Sequence, residues 1–518
     1  GVSQLGRMFD PQNGGFSSAP KFPVPHNLLF LMEMYETGQM DWEESGNAAG
    51  MQNENILAHK QDLLDMIELT LQQMYRGGIF DHIGGGFSRY STDERWLVPH
   101  FEKMLYDNAL LTLAYLETYR ITGKGLYRQV AERTLEYMER ELTHEKGGFY
   151  CAQDADSEGE EGKYYTLTQE EVEKVLGKAK GSCFCRWYGI TERGNFEGKG
   201  IPNLLENEGW YREDLQPKEL ERDWQLLQEY RRRRTQLHRD DKILTSWNGL
   251  AIWAFARAYQ ITGVTAHYKQ AKKAAAFVRA NLMTLNGRLK VRWRQEHVAF
   301  EGNLDDYACY ALALLELYQC DFDVSWLRTC MGLAEKLQEL FGDDRASGFF
   351  LYGTDSEQLI GRPKETYDGA MPSGNSMAGL LLVRLAALTG DQKWQEAANR
   401  QLSFLCREME GQEANHTMAL LAMREQEKER IHLVCTTDGE IPEEEIRCWK
   451  KKQRQAAEAL VITPENQKSL TKLIPQAGEY PIPEGILYYV CQGKSCLPPM
   501  TELPETISTP VPRQSGSL

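Results

Sequence analysis

The chain has 518 residues, 42% of them hydrophobic and 10% aromatic, with a formal net charge of −16 and a pI near 5.3. This length exceeds one ordinary core, and no low-complexity linker precedes the C-terminal quarter, so we predict one large domain plus an appendage. The negative charge repels polyphosphate and argues against nucleic acid as the main partner. The one strongly basic block, Arg231 to Arg234, ends a predicted helix, which favours a solvated face over a phosphate site.

The eleven cysteines form no evident disulfide or zinc framework. The closest pairs, Cys183 with Cys185 and Cys491 with Cys496, lack the second pair or the histidines that a zinc site needs. We therefore predict a reduced, cytoplasmic protein without a bound metal or cofactor.

The N-terminal region predicts the tail of a helix at Val2 to Phe9, followed by a glycine turn and a proline-stiffened lead-in. A helix from His26 to Glu36 and a second from His59 to Tyr75 come next, because their apolar residues recur at helical spacing. A loop rich in glycine, aromatic and ionisable residues then runs from Gly77 towards Asn108. A loop that is this costly to order is usually a site.

The helix–helix–glycine-turn unit recurs at intervals of about sixty residues, which is an internal repeat. The later predicted helices are Phe101–Thr122, Leu126–Leu142, Ser246–Thr262, His267–Leu282, Asp305–Tyr318, Val324–Phe341, Gly374–Leu388, Gln392–Glu408 and one that starts at His416.

The first helix of each unit is apolar nearly all round, and its partner is amphipathic. Six buried helices inside a ring of amphipathic helices predict an all-α fold, the (α/α)6 toroid. Only five outer partners follow their inner helices, so Val2 to Phe9 is predicted to be the sixth, shortened here. The most apolar run, Met377 to Leu388, is interrupted by Arg384 and is too short to span a bilayer, so no membrane partner is expected.

We predict three regions: a toroid over residues 1–430 with an insertion at about 162–241, a small α/β subdomain over 431–500, and a disordered tail over 501–518. Alternating strand-like and helical stretches after Ile431 predict a small parallel sheet. A helix at Glu443–Leu460 lies between the first two strands. The tail is rich in Pro, Ser and Thr.

In such a toroid the N-termini of the inner helices face one end of a central cavity, and their first residues are unusually polar here. Capping explains Ser, Asn and Asp at these positions, but it requires neither His nor Lys nor Trp. The candidate catalytic residues are His100, Glu102, Lys103, Asp107, Asp154, Asp156, Asp306 and His416. The candidate substrate-binding residues are His26, Trp96, Tyr106, Asn108, Trp247, Asn248, Tyr307, Ser373 and Asn375.

On a helix starting at Phe101, three of these candidates, His100, Lys103 and Asp107, share one face, with Glu102 and Tyr106 on the neighbouring face. A lysine beside a carboxylate and a phenol in a partly buried cavity suits acid–base work, or equally a structural network. Asp305 and Asp306 are about 100° apart on a helix, so we expect only one to face the cavity.

The acidic loop at Asp154, Asp156 and Glu158 resembles the first half of an EF-hand, but its twelfth position is Tyr165 rather than Glu, so the calcium motif fails. It is either a substrate-contacting loop or an acidic surface turn. No GxxxxGK loop, GxSxG elbow or HExxH helix appears, which argues against NTPase, α/β-hydrolase and zinc-peptidase functions.

Several motifs resemble the thioredoxin-domain-containing family of spermatogenesis-associated protein 20: GGFSSAPKFPVP at 14–25, GGIFDHIGGGFSRYSTDERWLVPHFEKMLYDNALL at 77–111, DADSEGEEGKYY at 154–165, DDKILTSWNGL at 240–250, LDDYA at 304–308, PSGNS at 372–376 and YVCQGKSCLPP at 489–499. The resemblance implies a six-hairpin glycosidase-like toroid, similar to sugar 2-epimerases, with a carbohydrate-type cavity. The family's thioredoxin-like domain and its cysteine motif are not in this sequence, so no redox activity is implied.

Two functions remain open. The first is a sugar-active enzyme, either an epimerase with two opposed proton carriers or a glycosidase with two carboxylates. The second is a non-catalytic ligand-binding or scaffold module that accompanies a thioredoxin-like domain or partner.

Overall fold

We describe the protein from a computed structural model, over residues 1–37, 53–210, 218–357, 360–453, 457–492 and 495–505. Helices dominate this part of the chain. In chain order they are α1 (Val2–Met8), α2 (Pro25–Thr37), α3 (Asn53–Arg76), α4 (Leu105–Thr122), α5 (Gly125–Leu142), α6 (Gln169–Leu176), α7 (Lys178–Trp187), α8 (Lys218–Arg234), α9 (Thr245–Thr262), α10 (Thr265–Asn281), α11 (Leu304–Asp321), α12 (Val324–Phe341), α13 (Gly374–Thr389), α14 (Gln392–Glu408), α15 (Thr417–Glu427), α16 (Glu443–Lys452) and α17 (Gln467–Leu473).

Six of these helices form a closed inner ring. In the order α2, α4, α9, α11, α13 and α15, each helix packs against the next, and α15 returns to pack against α2. They are largely apolar, apart from charged residues in their later turns, and α11 is buried along nearly its whole length, as expected for a helix enclosed by other helices. The (α/α)6 toroid predicted from the sequence is confirmed.

The outer ring consists of α1, α3, α5, α10, α12 and α14. These helices are amphipathic: α10, for example, buries Ala271, Ala275 and Val278 and exposes Lys269 and Lys272. The seven-residue α1 packs against a 3-10 turn, Glu413–Asn415, that leads into α15. It therefore occupies the sixth outer position, as expected from the repeat.

Short strands occupy the loops between hairpins, and longer ones form a C-terminal sheet. In chain order they are β1 (Tyr90–Ser91), β2 (Pro99–His100), β3 (Lys103–Met104), β4 (Ala152–Gln153), β5 (Asp156–Ser157), β6 (Glu160–Glu161), β7 (Arg239–Asp240), β8 (Ile243–Leu244), β9 (Lys290–Arg294), β10 (His297–Glu301), β11 (Ile431–Thr437), β12 (Ala457–Ile462), β13 (Ile486–Gln492) and β14 (Ser495–Cys496).

The loop before α4 is extended where we predicted a helix from Phe101. Pro99 disfavours helical backbone in the residue before it, and Lys103 and Met104 pair with β4. The helix therefore begins at Leu105. His100, Lys103 and Asp107 consequently do not share a helix face, and that prediction is wrong.

The insertion contains α6, α7 and α8. Arg231, at the end of α8, is 1% exposed and pairs with the carboxylate of Asp81 through both guanidinium Nη atoms, at 3.1 and 2.9 Å. The prediction of a solvated face is therefore wrong for Arg231, although Arg233 is exposed.

The C-terminal residues form a four-stranded sheet in the order β12-β11-β13-β14. Strands β11 and β12 are parallel and joined by α16, but β13 runs antiparallel to β11, so the sheet is mixed rather than parallel. The helix predicted to reach Leu460 ends at Lys452 because β12 begins at Ala457. A disulfide joins Cys491 to Cys496 across the hairpin of β13 and β14. Of the predicted disordered tail, residues 506–518 lie outside the described residues.

Candidate active site at the N-terminal ends of the inner helices

The first turns of neighbouring inner helices contact each other directly. Tyr106 of α4 packs edge-on against Trp247 of α9, with ring centroids 4.8 Å apart. The backbone N–H of Ser246 in α9 donates a hydrogen bond to Asp306 of α11 at 2.9 Å. These two contacts join α4, α9 and α11 at one end of the barrel.

Asp368 joins the other three helices, and the sequence analysis missed it. Its carboxylate accepts hydrogen bonds from the backbone N–H groups of Ser373, which caps α13, and Met418 in α15, at 2.8 and 2.9 Å. Its carbonyl oxygen lies 3.2 Å from Nε2 of His26 in α2. Only its position just before the PSGNS motif could have marked it. The first turns of all six inner helices thus lie around one end of the ring.

Three predicted binding residues fasten the preceding turn to its inner helix. The side-chain oxygen of Asn108 accepts a hydrogen bond from the backbone N–H of Phe87 at 2.7 Å, and its amide nitrogen donates to the Phe87 carbonyl at 3.0 Å. The same two bonds join two further pairs, Asn248 with Phe149 and Asn375 with Phe349. We call this arrangement the Asn–Phe latch.

Each latch also satisfies a third backbone group. Asn108 and Asn248 donate to the carbonyls of Met104 and Leu244, and Asn375 donates to that of Glu365. All three side chains are fully buried. Their hydrogen-bonding groups are used by the protein itself, which gives each of them a structural role.

Two aromatic candidates are also structural. Trp96 is fully buried, and its indole N–H donates to the carbonyl of Asn13 at 2.9 Å. The hydroxyl of Tyr307, in the first turn of α11, accepts a hydrogen bond from the backbone N–H of Leu289 at 2.9 Å. Tyr307 therefore replaces the asparagine of the latch in this hairpin, and neither ring is available to a ligand.

Asp107 has the most unusual environment of the candidates. It lies in the first turn of α4 and is 3% exposed, and its Oδ2 atom has no hydrogen-bond partner within the described part of the chain. Burial raises its pKa well above the ordinary value; Arg89 opposes this shift and Glu102 adds to it. Asp107 is therefore a buried carboxyl group whose surroundings favour the neutral form over the charged form.

The groups beside Asp107 are polar and reach solvent. Arg89 Nη1 lies 3.1 Å from Glu102 Oε2, and both side chains are partly exposed. Burial raises the pKa of Tyr106, whose ring is 4% exposed and packs against the half-buried Trp247. Asp107 thus lies next to an ion pair and an aromatic pair.

Asp305 and Asp306 point to different neighbours, as adjacent residues on a helix must. Asp306 is buried and accepts hydrogen bonds from the backbone N–H groups of Ser246 and Asn303, so it caps α11 and links it to α9. Asp305 is half-buried and lies beside the backbone N–H of Gly374, where an added Cβ would meet its Oδ1 at 2.2 Å. Burial raises the pKa of Asp305 to about 6 and that of Asp306 to about 7.

The three candidate histidines are held by different groups. His26 is fully buried, and burial lowers its pKa. His416, just before α15, lies 3.0 Å through Nδ1 from the carbonyl of Gln412 and 3.3 Å through Nε2 from the hydroxyl of Thr366. His100 is partly exposed and lies 2.8 Å through Nδ1 from Glu161 Oε1. His100 is thus the candidate histidine that solvent reaches best.

Lys103 belongs to a buried ion cluster. Its ammonium lies 2.9 Å from Asp81 Oδ2, which also accepts from Arg231, and 2.8 Å from the carbonyl of Gly85. Burial lowers the pKa of Lys103 to about 8, although Asp81 opposes the shift. Lys103 therefore links β3 to the loop that starts at Gly77 and to the insertion. This is the structural network that the sequence analysis gave as the alternative to acid–base work.

The acidic loop forms the hairpin of β5 and β6. Asp154 and Asp156 are exposed, and Asp154 Oδ2 lies 3.6 Å from Nδ1 of His238 in the insertion. The loop contacts the segment between Gly77 and Asn108 through Glu161, which binds His100. The two aspartates thus fit the acidic surface turn better than a site at the helix ends.

No protein-family model matches the chain. Over 438 residues, the chain is 33% identical to spermatogenesis-associated protein 20 of Mus musculus and of Homo sapiens, and 34% identical to that of Rattus norvegicus; each alignment covers 76% of the chain. The chain is a homologue of spermatogenesis-associated protein 20. The resemblance seen in the sequence motifs is confirmed.

The chain spans about half the length of the spermatogenesis-associated protein 20 sequences it matches, since the alignments cover 53% of them. Among solved structures it is similar to a sugar epimerase from a ruminal bacterium, with 13% identity, a TM-score of 0.49 and coverage of 79% of this chain and 83% of the other. It is also similar to a family 76 α-mannanase of Bacteroides thetaiotaomicron, with 10% identity, a TM-score of 0.49 and coverage of 82% and 92%.

In the part of this spermatogenesis-associated protein 20 homologue that the structure describes, no three His, Cys, Asp or Glu side chains are grouped as metal ligands would be. Over the same residues, no helix is both long and apolar enough to cross a bilayer.

Proposed function

We propose that the N-terminal end of the inner-helix barrel is an acid–base site for a carbohydrate-like small molecule, in an enzyme of the sugar-epimerase or glycosidase type. The observation that carries this proposal is Asp107, whose buried carboxyl group has one oxygen without a partner in the described structure. A buried polar group without a partner lowers the stability of the fold. A functional role accounts for such a group better than a packing role does.

A carboxyl group that keeps its proton at neutral pH can act as a general acid. Asp107 is our candidate for this role because burial raises its pKa well above the ordinary value. Asp305 supplies a second carboxyl group on α11, and its pKa of about 6 lets it exchange a proton near neutral pH. An epimerase needs two proton carriers and a glycosidase needs two carboxyl groups, so this pair supports either reaction.

Trp247 supports a carbohydrate as the ligand. Its ring is half-buried at the same end of the barrel, and Tyr106 holds it edge-on at 4.8 Å. A partly exposed, fixed aromatic ring suits the apolar face of a sugar ring, while Arg89, Glu102 and His100 offer polar groups for hydroxyls.

The test is exchange at the sugar. Purified protein would be incubated in heavy water with a panel of reducing sugars, and hydrolysis of aryl glycosides would be followed in parallel. We expect deuterium at C2 of one sugar or release from one glycoside, and at least about a hundredfold loss of that rate in Asp107→Asn. Asp344→Asn, which changes an exposed aspartate on the loop after α12, serves as the matched control.

A second function is favoured by the latches. Asn108, Asn248, Asn375 and Lys103 are all used in structural bonds, which leaves fewer free groups than six polar helix ends suggest. The protein would then bind a ligand without turning it over, next to a thioredoxin-like domain or partner. No deuterium exchange and no hydrolysis with any member of the panel, together with equal sugar affinity for wild type and Asp107→Asn, would support this second function.

A cytoplasmic location is part of the proposal. Nine of the eleven cysteines are unpaired, which suits a reducing compartment, whereas the disulfide between Cys491 and Cys496 departs from the prediction of a fully reduced chain.

A further inference from the structure

The opposite end of the barrel encloses a cavity with a volume of about 250 Å³. Residues from the later turns of all six inner helices line it, and α16 and β12 of the C-terminal sheet region close it. It lies at the other ends of the same helices that carry Asp107 and Asp305. None of the predicted site residues lines it.

A chain of ion pairs runs around the wall of this cavity. Arg384 of α13 binds Glu316 of α11 and Glu425 of α15, at 2.5 and 2.6 Å. Arg430, just before β11, then binds Glu425 and Glu458 of β12. Each of these side chains is at most 17% exposed. We call this chain of paired charges the polar relay.

The relay continues on the other side of the cavity. Glu117 of α4 binds two arginines, Arg120 of the same helix at 2.6 Å and Arg257 of α9 at 2.5 Å. Gln260 accepts from Arg257 and donates to the carboxylate of Glu316, which joins the two halves. Hydrogen-bonded charges therefore extend from α4 through α9, α11 and α13 to the C-terminal sheet.

The lining of the cavity holds more positive than negative charge. Six carboxylates and eight cations line it, in a chain whose net charge is −16. Every one of the six carboxylates has a cation within ion-pair distance, including Glu33 with Lys428 at 2.9 Å. The excess charge therefore belongs to cations that no wall carboxylate neutralises.

Lys450 of α16 is the cation that remains available. Its ammonium donates to Gln319 Oε1 at 2.7 Å, and no carboxylate of the described residues lies within ion-pair distance of it. The other two cations of α16 that line the cavity have neighbours: Arg447 lies over Tyr259 and Lys451 lies over Tyr119. An ammonium has three donors, so Lys450 can bind a further acceptor.

Two acceptor atoms in the wall are also unused. Glu33 Oε1 and Glu458 Oε2 are buried and have no hydrogen-bond partner in the described structure. Hydroxyl groups of a ligand would satisfy both, since buried polar atoms in native proteins are rarely left unpaired. The volume suffices for such a ligand, because a cavity of about 150 Å³ already holds benzene.

We propose that this cavity binds a small hydroxylated organic anion, whose carboxylate or phosphate group contacts Lys450. The site is separate from the proposed acid–base site and does not depend on it. A ligand held there would touch both the toroid and the C-terminal sheet region, and would join them.

The test is calorimetric titration of the full chain at pH 7 with inorganic phosphate, gluconate and glycerol 3-phosphate, and with sorbitol as the neutral polyol. We expect binding of at least one anion and none of sorbitol, and binding at least tenfold weaker in Lys450→Met. Lys468→Met changes an exposed lysine of α17, outside the cavity, and should bind as the wild type does. Binding of gluconate alone or of a phosphate ester alone identifies the anionic group.

A pH series on the wild type makes the test independent of any variant. Burial lowers the pKa of Lys450 to about 8, opposed by the nearby Glu316, Glu458 and Cys320 and assisted by Arg257. Anion binding should therefore weaken as pH rises from 7 to 9.

Two results would overturn the proposal: no binding of any of the three anions by the wild type, or equal affinity in wild type and Lys450→Met. Asp107→Asn should leave anion binding unchanged, so failure at one end of the barrel is distinguishable from failure at the other.

Discussion

At one end of the inner ring, Asp107 and Asp305 are carboxyl groups with raised pKa values and no cation within ion-pair distance in the described structure. At the other end of the inner ring, Glu117 of α4 and Glu425 of α15 are each held by two arginines, and their pKa values are lowered despite burial. The carboxyl groups at the two ends of the inner ring therefore lie in opposite electrostatic surroundings.

This difference distinguishes the residues that stabilise the barrel from those that can take part in a reaction. Paired, hydrogen-bonded charges fix the spacing of helices, and breaking such a pair is costly. A carboxyl group without a cation adds no ion pair between helices, yet it can transfer protons. This contrast is why we place acid–base chemistry at the N-terminal end and a binding site at the other.

The largest expected effect comes from cutting the polar relay. Arg384→Met leaves Glu316 and part of Glu425 without their cation, and we expect a loss of about 3–5 kcal/mol in the free energy of unfolding, measured in urea. Lys393→Met removes an exposed pair with Glu335 and should have no measurable effect. Equal losses in the two variants would contradict a structural role for the relay.

The latches come next. Asn248→Ala leaves the buried backbone groups of Phe149 unpaired, and we expect a loss of about 2–3 kcal/mol in the same assay. The exposed Asn399→Ala is the control. If Asn248→Ala were as stable as wild type but had lost sugar binding, the original prediction of a ligand-binding asparagine would be restored.

The two ends should respond to pH with opposite sign. The folded pKa of Asp107 lies above its ordinary value of 3.8, so its contribution to wild-type stability falls as pH rises above about 4, and this fall is missing from Asp107→Asn. The folded pKa of Glu425 lies below 4.5, so its contribution is present above that pH and is lost as pH falls. Relative to wild type, Asp107→Asn should gain stability with rising pH, while the deficit of Glu425→Gln should shrink as pH falls. Slopes of the same sign would contradict this account.

The smallest expected effect concerns the aromatic pair. Trp247→Leu removes the half-buried ring and should lower turnover about tenfold, with little change in stability. Tyr489→Leu removes a closely matched edge-on pair, Tyr480 with Tyr489 at 4.9 Å, far from the site, and should leave turnover unchanged. Similar turnover in the two variants would exclude Trp247 from the site.

Helical periodicity was enough to predict the ring, because inner helices must be apolar on all sides. Local patterns could not predict which polar residues are free. In the sequence, Asn248 is a plausible ligand contact, but in the fold it binds the distant turn at Phe149. Lys103 is likewise a plausible proton carrier, but in the fold it shares Asp81 with Arg231 of α8. The signal for the cavity at the opposite end was present in Arg384, a charge late in a very apolar helix, but its ion-pair partners come from two other helices, α11 and α15.

Difference infrared spectroscopy of wild type and Asp107→Asn at pH 7 tests the central claim most directly. We predict an absorption of a protonated carboxylic acid in the wild type that is missing from the variant, and that shifts when the active sugar is added. A carboxylate absorption for Asp107 at pH 7 would contradict the acid–base site.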